Sequence, residues 1–197
     1  FKAYVLRALD KIADLDIHIV APGHGPILRA DPQKYIELYR QWSTPPQKDK
    51  PTLAVFYASA YGNTEKLARE IASAAEAEGL KVGLYDIVAT DPARAVDQIE
   101  AADGVLFGSP TINADALKPV WDLISSLATI RVRGKIGGAF GSSGWSGEAP
   151  HQLDERLKSL KFKVPATAPR VTLVPTQDDL AACREFARTV AQAIKDS

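Results

Sequence analysis

Leu53-Ala54-Val55-Phe56-Tyr57-Ala58-Ser59-Ala60-Tyr61-Gly62-Asn63-Thr64 is the stretch from which the rest of the chain is read. Its first six residues are an unbroken apolar run of the length of a fully buried strand. Its last six are a short hydroxyl-bearing loop, and from position 65 to 78 the pattern becomes that of an amphipathic helix. A strand that runs through such a loop into a helix start brings several groups to one point. These are free backbone N–H groups, the Ser59 and Thr64 hydroxyls and the positive end of the helix dipole. A phosphate can sit there with no lysine or arginine in the loop. Gly62 lets the backbone come close, and Asn63 or Thr64 is expected to cap the helix.

An ordinary capped turn would show the same residues. The loop lacks the G-x-x-x-x-G-K-S/T pattern of a nucleoside-triphosphate site and the G-x-G-x-x-G of a dinucleotide site. What remains is a site for a single terminal phosphate, as on FMN.

Downstream, apolar runs at 80–87, 104–108, 136–140 and 171–174 alternate with helical patterns near 65–78, 92–101, 117–128, 149–160 and 179–195. Five β–α units predict an α/β fold, a doubly wound five-stranded parallel sheet with helices on both faces and right-handed crossovers. In the last helix Leu180, Cys183, Phe186, Ala187, Val190, Ala191 and Ile194 recur every three or four residues, so Cys183 reads as core packing rather than as a nucleophile.

Ligands of such sheets sit at the carboxyl ends of the strands. Three loops there are unusual: Ser59 to Thr64; Ser109-Pro110-Thr111-Ile112-Asn113-Ala114-Asp115; and Gly141-Ser142-Ser143-Gly144-Trp145-Ser146-Gly147-Glu148. All three can converge on one crevice. The second can offer N–H and C=O groups to the edge of a heterocycle, or be a plain β–α connection. The third places a tryptophan among glycines and serines, where its flat face can stack on a flat ligand. An interface anchor would use the same residue.

Upstream, Tyr4, Val5, Ala8, Leu9 and Ile12 give positions 1–13 a helical stripe, and Asp16-Ile17-His18-Ile19-Val20 alternates as a short strand. His24 follows between two glycines, exposed as a ligand histidine would be, although a lone histidine is more often structural. A helix starting at Asp31-Pro32 comes next, with Asp31 as its cap. One strand and two helices cannot close a core of their own. The expected organisation is therefore an αβα piece over 1–44, a Pro- and Lys-rich linker over 45–51 and a domain over 52–197.

Charge is balanced at 24 basic and 24 acidic residues, which argues against a nucleic-acid partner held by a net positive field. No run is long or apolar enough to cross a membrane. The single cysteine, Cys183, cannot form an internal disulfide, so a reducing, cytoplasmic compartment is expected. The start at Phe1 and the absence of methionine suggest a piece of a longer polypeptide.

The domain over 52–197 resembles a flavodoxin-like FMN domain, which implies the strand order 2-1-3-4-5. The segments Ser109–Asn113 and Gly144–Gly147 are similar to those of flavodiiron proteins, also called A-type flavoproteins. Ile19-Val20-Ala21-Pro22-Gly23-His24-Gly25-Pro26-Ile27 resembles the end of that family's metallo-β-lactamase-like di-iron domain.

The resemblance implies that Ser59, Ala60, Tyr61, Gly62, Asn63 and Thr64 hold the FMN phosphate. It implies that Pro110, Thr111, Ile112 and Asn113 line the isoalloxazine, and that Ser143, Gly144, Trp145 and Gly147 form the opposite wall. His24 would bind iron, but only in the intact protein. Glu148 stands where a small residue is expected. The implied activity is reduction of dioxygen or nitric oxide, an oxidoreductase reaction with electrons from rubredoxin or a reductase, in a homodimer or higher oligomer. A flavodoxin-type electron carrier and a flavodoxin-like quinone reductase share the phosphate loop, but neither accounts for the PGHGP segment. A flavin-free receiver domain would need an acidic cluster that Asp86 and Asp103 do not form.

Overall fold

The computed structural model describes residues 2–44 and 48–197, and the chain divides into two compact units, 1–49 and 50–197. Pro45, Pro46 and Gln47 of the expected linker lie outside the described residues.

In the first unit, helix α1 (Lys2–Lys11) packs against helix α2 (Pro32–Ser43), and Asp10 accepts from Arg40 at 2.9 Å. Asp31 caps α2 as expected, its carboxylate accepting from the Lys34 N–H at 3.2 Å. The strand predicted at 16–20 does not form. Only Val20 pairs, in a single antiparallel bridge with Leu28. Alternation specifies a face but not a partner, and the Pro22-Gly23-His24-Gly25-Pro26 loop between the two halves stops a longer ladder.

The second unit follows the predicted alternation. Strands β1 (Thr52–Tyr57), β2 (Lys81–Asp86), β3 (Gly104–Gly108) and, further along, β6 (Ile136–Phe140) form a parallel sheet of order β2-β1-β3-β6. Helix α3 (Asn63–Ala77) and the last helix, α7 (Gln177–Lys195), cover one face. Helices α4 (Pro92–Ala101), α5 (Lys118–Ser126) and α6 (Ala149–Ser159) cover the other. The period of two along each strand sorts the core: Leu53, Val55 and Tyr57 pack toward α3 and α7, whereas Ala54, Phe56 and Ala58 pack toward the opposite layer. Cys183 is buried in the first of these layers, and burial pushes its thiol up to about 11. That fits packing and not nucleophilic chemistry.

Three local features depart from the sequence reading. The loop after β3 is a hairpin, β4 (Thr111–Ile112) with β5 (Asp115–Ala116). The fifth strand, predicted at 171–174, is interrupted. Its lower end is a bridge from Lys163 to Ile136, and its upper end is β8 (Val171–Thr172), parallel to β7 (Ser142–Ser143) in a small second sheet of order β5-β4-β7-β8. The N-cap of α3 is Gly62, at φ 81°, rather than Asn63 or Thr64, and no side chain bonds there as a cap.

The gap in the fifth strand has a local consequence. On the side of β6 away from β3, Gly137 N–H donates to the Lys163 carbonyl at 2.9 Å. Two residues on, Ala139 faces the same way and has no strand beside it. The buried Asp154 carboxylate of α6 accepts its N–H at 2.8 Å instead. Burial raises this carboxyl to about 6, against the lowering effect of that hydrogen bond.

Candidate functional site

The loops after β1, β3 and β6 meet at one rim, as predicted. They enclose a cavity of about 370 Å³ lined by Tyr61, Asn63, Pro110, Thr111, Ile112, Asn113, Ser142, Ser143, Gly144, Trp145 and Leu173. That volume lies within the range of small-ligand sites. None of these side chains carries a charge at neutral pH, and two aromatic rings stand almost free in solvent: Tyr61 is 89% exposed and Trp145 81%.

The first loop is built by a strand that ends buried and a helix that starts without a side-chain cap. Ser59 Oγ reaches forward to accept from the Glu65 N–H at 3.3 Å, and the Lys66 N–H reaches back to the Gly62 carbonyl at 2.9 Å. The N–H groups of Asn63 and Thr64 find no partner among the described residues, so the N-terminus of α3 retains donors for an anion. Thr64 itself is buried, and its hydroxyl pairs with Ser142 at 3.0 Å. It ties the first loop to the third. Ala60 and Gly62 are exposed, and Gly62 borders a shallower groove of about 310 Å³ along α3 with Glu65, Lys66, Arg69 and Glu70. Beneath, burial and then the neighbouring Glu65 and Asp86 raise the Tyr57 hydroxyl above its ordinary value.

The second loop is held from below. Ser109 Oγ accepts from the Leu117 N–H at 2.9 Å, and Asp115 Oδ1 accepts from Trp121 Nε1 at 2.9 Å and from the Ala116 N–H at 2.7 Å. At the hairpin tip Asn113 and Ala114 both take left-handed backbone, φ 52° and 60°. Thr111 Oγ1 accepts from the Ala149 N–H at 3.1 Å, which fastens the hairpin to the start of α6, and Gln152 Nε2 donates to the Ala114 carbonyl at 3.0 Å.

The third loop leaves β6 through Gly141, where a Cβ would fall 1.9 Å from the Ser109 carbonyl oxygen, so only glycine lets the two loops cross this closely. Ser143 Oγ is buried with no hydrogen-bond partner, at a residue that lines the cavity. A buried hydroxyl left in this state is unfavourable unless a ligand or a small rotation satisfies it. Glu148, expected to be a small residue, accepts from Ser146 Oγ at 2.7 Å and stands just before α6.

Of the residues singled out from sequence, Tyr61, Asn63, Pro110 to Asn113, Ser143, Gly144 and Trp145 line the cavity together. Ser59, Ala60, Gly62, Thr64 and Gly147 belong to the same loops but do not line it. Two lining residues were not foreseen. Ser142 lay inside the quoted third loop without being singled out. Leu173, at φ 60°, gave no signal because it lies inside the apolar run at 171–174 and reads as strand. His24 is exposed in its loop, and among the described residues no three His, Cys, Asp or Glu side chains group as a metal site would. Among the same residues no helix is long and apolar enough to cross a membrane.

Residues 55–186 match the family described as Flavodoxin. The chain is 41% identical over 196 residues to the type A flavoprotein fprA of Rhodobacter capsulatus, covering 97% of this chain and 45% of that protein. It is 37% identical over 199 residues to a nitric oxide reductase of Moorella thermoacetica, covering 100% of this chain and 49% of the relative. Among solved structures it superposes on rubredoxin oxygen:oxidoreductase of Desulfovibrio gigas with a TM-score of 0.80 and 32% identity, covering 99% of this chain and 49% of that one. The chain thus spans about half the length of the curated relatives it matches.

Proposed function

Because the chain belongs to the flavodoxin family and matches type A flavoproteins along nearly its whole length, we propose that its second unit binds FMN and serves as the electron-transfer half of a flavodiiron oxygen or nitric oxide reductase. The observation that carries this reading is the convergence of three loops on one uncharged cavity beside a helix start with free N–H donors.

The residues present fit the cofactor. The cavity lining offers apolar and hydroxyl groups without charge, as a neutral heterocycle requires. The Asn63 and Thr64 N–H groups and the Ser59 hydroxyl suit a terminal phosphate. The orphaned Ser143 hydroxyl and the hairpin around Asn113 provide polar groups for the ring edge. Trp145 and Tyr61 offer planes that can cover a ring and exclude water. FMN, when bound, supplies the one- and two-electron chemistry, and the protein orients it and tunes it.

The intact protein would take electrons from rubredoxin or a reductase and work as a homodimer or higher oligomer in a reducing compartment. The first unit would be the end of a metallo-β-lactamase-like domain, with His24 as one iron ligand. Among the described residues no three His, Cys, Asp or Glu side chains group as such a centre would, so no iron chemistry is assigned to them.

The test is a titration with FMN and riboflavin, followed by flavin fluorescence. FMN is expected to bind about 100-fold more tightly, since two or more charge-assisted hydrogen bonds are available only to the phosphate. Ser59→Ala should weaken FMN about tenfold and leave riboflavin within about twofold. Equal affinities for the two ligands would remove the phosphate assignment.

A further inference from the structure

Trp145 presents its ring to solvent, so packing does not fix the indole and its attitude must come from its backbone. That backbone is tied to the segment flanking β8. Ser142 and Ser143 pair in parallel with Val171 and Thr172, and the Leu173 N–H donates to the Ser143 carbonyl at 2.7 Å. These bonds hold the loop where it leaves the sheet, two residues before the indole. Further out the contacts converge on one side chain. The Arg170 guanidinium donates to the Trp145 carbonyl. Its Nε lies 3.4 Å from the point a Cβ on Gly147 would occupy. The chain from Trp145 to Gly147 therefore bends around the guanidinium.

We propose that Arg170 is a positioning residue for the flavin site: held in the bend of the third loop, it fixes the Trp145 carbonyl and thereby the angle at which the indole meets a flat ring. Arg170 does not line the cavity, so it acts through Trp145 and not by contact. A planar, permanently charged group with several fixed donors suits the task better than a flexible ammonium. The inference rests on the flavin reading above. It predicts an effect on the ring and not on the phosphate.

The experiment is a double-mutant cycle read as dissociation constants for FMN and riboflavin. Arg170→Met keeps the aliphatic stem beside Gly147 and removes the donors. It is expected to weaken both flavins by the same factor, about tenfold for one lost charged hydrogen bond. In a Trp145→Ala background the same change should cost less than about twofold, because the group it positions is gone. Arg170→Lys, a second variant that keeps the charge but not the plane, should fall between the wild type and Arg170→Met. Unchanged affinity in Arg170→Met, an equal loss in both backgrounds, or wild-type affinity in Arg170→Lys would each overturn the proposal. If the unmutated protein bound neither flavin, the flavin reading itself would fall, a result distinct from these three.

Discussion

Asp154 occupies a place where a backbone carbonyl would sit in an uninterrupted sheet. The residue is only 2% exposed and its carboxylate serves the Ala139 N–H, but burial outweighs that bond and lifts the group to about 6. The folded state therefore binds this proton more tightly than the unfolded chain does. Stability must then fall as pH rises from about 4 to about 6 and stay reduced above that window. An asparagine in its place would keep an oxygen acceptor without a charge to desolvate. Asp154→Asn is expected to raise stability near pH 7.5 by about 1–3 kcal/mol, since a rise from 3.8 to about 6 corresponds to roughly 3 kcal/mol. Near pH 4.5, part of the way through that window, the gain should shrink to about a third of its value at pH 7.5. Urea unfolding at the two pH values checks this, and an equal change at both would contradict it.

The hairpin β4–β5 turns through two left-handed residues, a geometry that asparagine tolerates and alanine resists. Ala114→Gly should therefore stabilise the folded protein by about 0.5 kcal/mol, the relief of strain being partly offset by the freer unfolded chain. Chemical denaturation of the variant measures it, and a clear loss would contradict the turn. The hairpin was not legible in the sequence because two-residue strands are too short to show a period. The strands β1, β3 and β6 were legible because both of their faces are buried and their apolar runs are unbroken. Ile17 and Ile19 misled for the opposite reason: alternation without a neighbouring strand yields a bridge and not a ladder. Arg170 and Leu173 escaped notice because neither sits in a loop marked by glycine, serine or an exposed aromatic residue.

At the scale of the whole chain, the two apolar clusters that sandwich the sheet lie entirely within the second unit. Among the described residues of the first unit, Leu9 alone is a buried hydrophobic side chain. Residues 51–197 expressed alone should consequently unfold in a single cooperative transition and bind flavin within about twofold of the full chain, whereas residues 1–44 alone should show little helical circular dichroism. A fragment 51–197 that failed to fold would contradict this division. The site is legible at this scale because the three polar loops all leave the carboxyl ends of parallel strands, and alternation of strands and helices puts those ends at one rim.

The break in the last strand leaves the outer border of β6 with an amide that could otherwise pair with a foreign chain. Such borders are where misassembly begins, as one copy's ribbon zips onto another's. By inserting an acidic side chain at Ala139, α6 takes up that amide inside the fold, where both residues are buried. The stability lost to a buried carboxylate is thus the cost of closing that border from within the fold.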